Sequence, residues 1–422
     1  MLPYAGIANP HALGAYSVEQ NARLLQRYRY IHERLLRTAA GHLPARENWD
    51  LKAALGKHLY EDAESADRLR QRIAELRTSP AALSREPDAA LGLLMDELLH
   101  ARSDLELTVG IYGVIKPALL AAYRKHMAAT QQIVDQPTIR ILRAIALDLE
   151  EQIAWGGEMI GELEGLSAGN EEVVLFKEQL ISIMAAAGGI DGLGKKVPQL
   201  PGRIRSQQPY VLPIRSVRDP RKMGPTTLAR TGVAQPPDDP VRRSLLEKMR
   251  VRQEEMTAAE LIAAVIYSQQ HMPWAFYRDL ARHLWDEVRH ALFGQAALEC
   301  EGEDWMSRPQ YTSDYDVNAA KIPGAQYAWL SIGIEEGAMK RPGKAGEYEF
   351  CRDVAKHPLM AQFQDYDWAD EVVHAGLGRK WSPELIGEDI GYVRELAAQE
   401  LEHFWERVRA AQRQWSEEES AG

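Results

Sequence analysis

The sequence predicts an all-α protein. Apolar residues recur at intervals of three and four along most of the 422 residues, which is the period of a helix with one buried face. Runs in which apolar and polar residues alternate, which would indicate strands, are nearly absent. The chain is also longer than one hydrophobic core usually allows, so two domains are expected.

Nine amphipathic helical segments are predicted, five before and four after a region of different composition. The first five cover residues 17–41, 50–77, 88–128, 137–165 and 170–187. The later four, each with at most one break, cover residues 251–300, 324–340, 345–379 and 384–415. We therefore expect an N-terminal helical domain at 1–195, a C-terminal helical domain at 246–415 and a frayed acidic tail at 416–422.

A connector of unusual composition, residues 196–245, separates these two domains. Residues 197–243 hold nine of the 22 prolines, together with many arginines. Proline lacks an amide hydrogen and clashes with the preceding helical turn, so this density excludes helix interior. We expect an extended, basic segment that docks on the acidic protein by charge.

Composition narrows the class of protein. The formal net charge is −11 and the pI is about 5.6, which argues against nucleic acid and anionic membrane as partners. The N-terminus lacks the features of a signal peptide, and no long uncharged apolar stretch is evident, so a cytoplasmic protein is expected. Two cysteines, Cys300 and Cys351, cannot form a disulfide framework and fit a reducing compartment.

The pattern Asp-Glu-x-x-His-Ala occurs three times, at 96–101, 286–291 and 370–375. Residues i and i+3 share one face of a helix, so each Glu and His of the pattern point to the same side. The second and third copies each follow another candidate glutamate by about 30 residues. This combination predicts a metal site in the C-terminal domain.

The predicted ligands are four carboxylates and two imidazoles. Glu260 is chosen because an unpaired carboxylate in so apolar a helix would be costly to bury. The third helix offers Glu335 or Glu336, and Glu335 is preferred because its helical stripe is the more apolar. Two divalent cations would neutralise four carboxylates, and an oxygen-rich set favours iron or manganese over zinc or copper. The full predicted set is Glu260, Glu287, His290, Glu335, Glu371 and His374.

Three further residues are candidates for roles beside the metals. A ligating histidine usually donates its second ring N–H to a carboxylate. We therefore expect Asp370 to hold His290 and Asp286 to hold His374, each across the bundle. Tyr267 lies two turns after Glu260 on the same face, where it could line the pocket or carry a radical, or could simply fill the core.

The N-terminal half is predicted to be a degenerate copy of the C-terminal half. Gly110-Ile111-Tyr112-Gly113 aligns with Gly333-Ile334-Glu335-Glu336. Under this alignment the first half keeps three site residues, Glu97, His100 and Glu150. It has Tyr112 and Gly113 in place of the glutamate pair, and Ile153 in place of His374. Coincidence among helical sequences is the alternative. His58, Glu61 and Glu64 are either a remnant of a first-half site or a solvated acidic helix face, and the solvated face is preferred.

The candidate ligands resemble those of the ferritin-like dinuclear carboxylate superfamily. The Asp286-Glu287-Val-Arg-His290 form is most similar to di-iron monooxygenases, although Val373 replaces the arginine in the second motif. The resemblance implies two four-helix-bundle halves and a centre of two iron ions, with mixed or paired manganese as the alternative. It also implies dioxygen chemistry, while substrate and exact reaction do not follow from it. We expect an oxidase or oxygenase that acts on a small organic substrate, takes electrons from an external donor or from the substrate itself, and is a monomer or homodimer. The competing interpretations are a non-catalytic metal-binding protein and a radical-generating subunit resembling that of ribonucleotide reductase.

Overall fold

A computed structural model describes residues 2–166, 171–197, 201–221, 237–307 and 312–421. The protein is 75% helical, and the described residues contain no strand. The predicted all-α class is confirmed.

Within the described ranges 2–166 and 171–197, seven α-helices form before the connector: α1 (Val18–His42), α2 (Trp49–Glu75), α3 (Ala89–Leu99), α4 (Asp104–Thr108), α5 (Lys116–Ala129), α6 (Gln136–Leu166) and α7 (Glu171–Ala186). The predicted single helix 88–128 is interrupted, because Ser103 adopts an extended conformation and caps α4 by accepting a hydrogen bond from the Glu106 amide. A π-helical segment, Val109–Ile115, joins α4 to α5.

The helical stretch Asp104–Ala129 is long and apolar enough to cross a membrane by length and composition alone. However, 78% of its most apolar window is buried inside the protein, as in the core helix of a folded domain. It is weak evidence for a membrane span.

The part of the chain described after residue 236 contains nine further α-helices: α8 (Pro240–Gln253), α9 (Met256–Ser268), α10 (Trp274–Cys300), α11 (Ser313–Asn318), α12 (Pro323–Ala328), α13 (Glu336–Ala338), α14 (Gly343–Glu349), α15 (Pro358–Ile386) and α16 (Ile390–Ala421). A π-helical segment, Trp329–Glu335, lies between α12 and α13, and a second, Phe350–Val354, follows α14. Helix α16 continues to Ala421 and so includes most of the predicted acidic tail at 416–422.

The chain divides into two compact units. The first unit comprises residues 1–38 and 58–211, and the second comprises 39–57 and 212–422. The boundaries differ from those expected, since residues 39–57 group with the second unit and the described connector divides after Val211. Residues 222–236 of the predicted connector lie outside the described residues.

Helix α10 is central to the second unit and packs against α8, α9 and α15. Its packing on α8 is close because Gly294 has no side chain. A Cβ atom at Gly294 would lie 2.2 Å from the backbone nitrogen of Gln253, at the end of α8. This contact brings the short α8–α9 junction, which contains Glu255, against the middle of α10.

Candidate metal centre

The second unit contains two groups of potential metal ligands. In each group the ligand atoms of four residues lie within 4.8 Å of one another. Group A is His283, Glu287, Glu335 and His374, all buried. Group B is Glu255, His290, Asp367 and Glu371, of which Glu255 is half-buried and the others are buried.

Helices α10 and α15 supply six of these eight residues through the same spacing. His283, Glu287 and His290 are separated by four and then three positions on α10. Asp367, Glu371 and His374 have the same separations on α15, and such spacings place side chains on one helix face. Glu335 comes from the end of a π-helical segment and Glu255 from the residue before α9.

The two groups adjoin through Glu287. Its Oε1 lies 3.2 Å from His374 Nδ1 and 3.6 Å from His283 Nε2, both in group A. Its Oε2 lies 3.9 Å from His290 Nδ1 in group B. Glu371 of group B similarly places Oε2 at 3.9 Å from His374 Nδ1. Each carboxylate is therefore positioned to bridge two cations.

The expected crossed pairing of aspartates and histidines is present. His290 Nε2 lies 3.4 Å from Asp370 Oδ2, and His374 Nε2 lies 3.3 Å from Asp286 Oδ2. In both histidines Nδ1 faces the ligand groups. Arg289 hydrogen-bonds both aspartates and fixes their carboxylates in turn. The aspartates therefore set the orientation of the two imidazoles.

His283 is held from the opposite side of group A. Its Nδ1 lies 3.1 Å from the hydroxyl of buried Tyr327, and its Nε2 lies 2.9 Å from Glu335 Oε1. Its ring also stacks on that of His374, with centroids 3.9 Å apart. Burial, fixed orientation and carboxylate neighbours make His283 a ligand as well placed as His290 and His374.

The site attracts positive charge. Burial lowers the pKa of His290, but Asp367 and its neighbouring acids outweigh burial and raise this pKa to about 10. Burial also opposes protonation of His374, yet Asp286 and Glu287 hold its pKa well above the usual range. Conversely, burial raises the pKa of Glu287, but the surrounding histidines hold it well below its ordinary value. Without metal, protons take the place of cations on the imidazoles.

Group B also contacts two buried side-chain cations. Lys344 Nζ lies 2.9 Å from Glu371 Oε1 and 2.9 Å from Asp367 Oδ2. Arg252 lies 3.0 Å from Asp367 Oδ1 and 2.8 Å from Glu255 Oε1. The negative charge of group B is therefore partly neutralised by the chain itself.

Unpaired polar atoms show that the eight residues fit a metal centre. Buried polar groups in folded proteins almost always have hydrogen-bond partners. Here six buried atoms in the two groups lie near one another without hydrogen-bond geometry: Glu255 Oε2, Glu287 Oε1, His290 Nδ1, Glu335 Oε2, Glu371 Oε2 and His374 Nδ1. Their convergence and donor types suit divalent iron or manganese.

The structure brings together five of the six predicted ligands, all except Glu260. Glu260 is fully buried, but it pairs with Lys52 and with Arg218, whose Nη1 is 2.6 Å from Oε1. Of the two alternatives on the third helix, Glu335 is in group A, whereas Glu336 pairs with two arginines near the surface. Tyr267 is half-buried at the end of α9 and belongs to neither group.

Three members of the two groups are not predicted from the sequence: Glu255, His283 and Asp367. The repeated spacing extends one turn upstream of each motif, and comparison of α10 with α15 would have indicated His283 and Asp367. Glu255 had no such signal, because it precedes a helix rather than lying within one.

The first-half residues singled out earlier do not form a comparable group among the described residues. Glu97 is fully buried and accepts hydrogen bonds from the amides of Ile204, Arg205 and Ser206. His100 bonds to backbone carbonyls, including that of Gln208. These side chains anchor the segment after α7 instead of facing a bundle core.

The interpretation of His58 as part of a solvated face is wrong. His58 is buried, and its Nδ1 lies 2.7 Å from the Tyr112 hydroxyl. Glu150 is exposed and pairs with Arg124, while Ile153 is half-buried. Tyr112 therefore faces His58 on α2 and not the Glu97–His100 pair.

A cavity of about 350 Å³ adjoins group B. Phe293, Phe363 and Tyr366 form its apolar wall, and the first two rings stack with centroids 4.8 Å apart. His290 and Asp367 of group B also line it. A small apolar molecule in this cavity would lie beside the ligand groups.

In comparisons with protein-family models, curated proteins and solved structures, nothing matches this chain. The function must therefore be argued from the site alone.

Proposed function

We propose that the protein is a non-haem oxidase or oxygenase that holds two iron ions, one in each ligand group, and oxidises a small organic substrate with dioxygen. Helices α9, α10, α15 and the stretch from α12 to α13 would be the four helices of a ferritin-like bundle. The observation that carries the proposal is the pair of adjoining carboxylate–histidine groups, with Glu287 near histidines of both.

The ligand types support iron. Hard carboxylates with a few imidazoles, and positions left open, are typical of iron and manganese centres that bind and activate dioxygen. The chain's own residues orient the ligands, since Asp370 and Asp286 each hold one imidazole and Tyr327 holds a third. A purely structural bundle would be better stabilised by apolar residues at these positions than by buried charge.

The adjoining cavity supports an apolar substrate. Its wall of Phe293, Phe363 and the exposed Tyr366 would hold a small, flat molecule next to His290. We propose a cytoplasmic enzyme with no nucleic-acid or membrane partner, acting as a monomer or homodimer. Its electrons would come from an external donor or from the substrate.

The direct test combines metal analysis with dioxygen consumption. Protein produced with iron should hold close to two ions per chain and consume dioxygen when reduced. Glu287→Gln should lose most bound metal and the dioxygen consumption. Glu299→Gln, which changes an exposed carboxylate further along α10, should lose neither. Equal metal content in both variants would refute the proposed centre.

The same experiment separates the alternatives. Bound iron with no dioxygen consumption would favour a non-catalytic metal-binding protein. A persistent tyrosyl radical signal by electron paramagnetic resonance would favour a radical-generating subunit. Tyr327, which contacts His283, is better placed than Tyr267 to be its source.

A further inference from the structure

The two ligand groups differ in how their negative charge is balanced. The carboxylates of group A, Glu287 and Glu335, have no lysine or arginine within ion-pair distance anywhere in the described ranges. Histidines contact both carboxylates, and the negative charge of Glu371 also acts on Glu335. A cation that enters group A therefore meets two buried carboxylates that no lysine or arginine already neutralises.

Group B already contains a cation in contact with two of its ligands. The Lys344 ammonium contacts both Asp367 and Glu371 at 2.9 Å, while the side chain is only 6% exposed. The ammonium donates to both oxygens of Asp367 and contacts one oxygen of Glu371, so it occupies lone pairs on both carboxylates and repels an approaching divalent ion. Arg252 also binds Asp367 Oδ1 and adds to the repulsion.

The backbone before Lys344 approaches the preceding turn closely. Gly343, at the start of α14, has φ of +27°, and a Cβ atom there would lie 2.0 Å from the carbonyl oxygen of Ala338. Only glycine fits so close an approach, and the residue that follows it is directed to Asp367.

The first unit contains a parallel case. Lys116 is fully buried, with Nζ 3.0 Å from Asp62 Oδ2 and 2.5 Å from Gln152 Oε1. None of the described residues of that unit belongs to a potential metal group. There a lysine ammonium supplies the cation that a cluster of buried polar groups requires.

We propose that the centre loads its metals unequally. The first divalent ion binds in group A, and the Lys344 ammonium occupies the place of the second. A metal enters group B only when Lys344 leaves Asp367 and Glu371. This inference rests on the proposed function only in taking both groups as metal sites.

The test is an Mn²⁺ titration of metal-free protein, with bound and free ions distinguished by electron paramagnetic resonance. The wild-type protein should bind one ion tightly and a second at least about 100-fold more weakly, because one buried like charge opposes it. Lys344→Met should bring the two dissociation constants within about tenfold of each other. Lys344→Arg, which keeps the charge, should not. Lys340→Met, at an exposed lysine four residues earlier, is the matched control and should behave as wild type.

A second measurement does not depend on the folding of any Lys344 variant. Wild-type crystals soaked at low Mn²⁺ concentration should show anomalous density in group A alone. Density of equal height in both groups, two equal dissociation constants, or no change in Lys344→Met would overturn the unequal loading while leaving the metal centre in place. Absence of any bound Mn²⁺ would instead refute the metal centre of the proposed function, and this inference with it.

Discussion

Glu260 offers a sharp test of the ligand assignment, because sequence reasoning and structure give it different roles. The sequence predicts a metal ligand, whereas the structure places Glu260 in a fully buried ion-pair cluster with Lys52 and Arg218. Lys52 also donates to the carbonyl oxygen of Val217 at 2.5 Å. The substitution Glu260→Gln keeps the side-chain shape and removes the charge.

The structure indicates a large effect on stability. The side chains of Lys52 and Arg218 are only 1% and 5% exposed, so neither cation can recover its hydration when the carboxylate is lost. Removing one partner of a buried ion pair costs about 3–5 kcal/mol. In a unit of this size, each kcal/mol lowers the melting temperature by about 2–4 °C. Glu260→Gln should therefore lower it by roughly 6–20 °C.

Thermal unfolding of the metal-free protein, together with metal analysis of the folded protein, provides the assay. We expect Glu260→Gln to be less stable yet to bind as much metal as wild type. Glu287→Gln should instead lose bound metal and change stability less. Glu260→Gln protein that melts like wild type but holds one ion fewer would refute the reasoning and restore the ligand role.

Three further outcomes are expected. Acidic neighbours hold the pKa of His290 at about 10 without metal, so a metal ion must displace a proton when it binds. Metal binding should therefore release protons, and the affinity should increase from about pH 6 to 8. Calorimetry in buffers of different ionisation enthalpy measures the proton release, and an affinity independent of pH would contradict it. Asp370→Asn should weaken metal binding by about 10–100-fold, since it leaves His290 poorly oriented, and an unchanged dissociation constant would count against the crossed pairing. Replacing Glu97 and His100 together by Ala should lower the free energy of unfolding by about 3 kcal/mol, because buried amides lose a charged acceptor. The metal content should stay unchanged. Denaturant unfolding measures the stability, and metal analysis measures the content.

The motif residues of the site were predictable because their signal is local. Glu287 with His290, and Glu371 with His374, each lie within one turn of a single helix, so spacing alone predicts that they share a face. The preference for Glu335 followed from the apolar stripe beside it. The periodicity of apolar residues indicates where helices lie, which of their faces are buried and which nearby side chains share a face.

The sequence does not predict that Glu255, instead of Glu260, lies in a ligand group. A buried carboxylate in an apolar helix needs a cation, and the sequence cannot say whether that cation is a metal or a side chain. Lys52 lies more than 200 positions before Glu260, so no local pattern connects them. The π-helical segment before Glu335 was also missed, because one extra residue in a turn leaves the apolar pattern almost unchanged.

The alignment of the two halves changes once the contacts are known. His283 contacts Glu335 and His374, and in the first unit His58 contacts Tyr112 and Trp155 in the corresponding way. His58-Leu-Tyr-Glu-Asp62 on α2 then matches His283-Leu-Trp-Asp-Glu287 on α10. The proposed duplication is better supported by this pairing than by Glu97 and His100. In this alignment, aromatic and amide side chains of the first unit take the positions of the candidate ligands of the second.

Under this alignment Lys116 should supply to the first unit the positive charge that the proposed metals would supply to the second. Burial raises the pKa of Asp62, but Lys116 and His32 outweigh burial and hold it below its ordinary value. The carboxylate therefore stabilises the fold above about pH 4, and this contribution is lost as the pH falls. Lys116→Met leaves Asp62 buried without its ammonium partner, which should cost about 3–5 kcal/mol at neutral pH.

The cost of Lys116→Met should shrink towards about pH 4, because the unpaired carboxyl then takes up a proton and no longer carries a buried charge. Denaturant unfolding of wild type and variant at several pH values measures the difference, and added Mn²⁺ should not restore the loss. A pH-independent cost would show that Lys116 acts through packing alone. Rescue by Mn²⁺ would show that the first unit has kept enough ligands to bind metal, and that it is not the degenerate copy argued here.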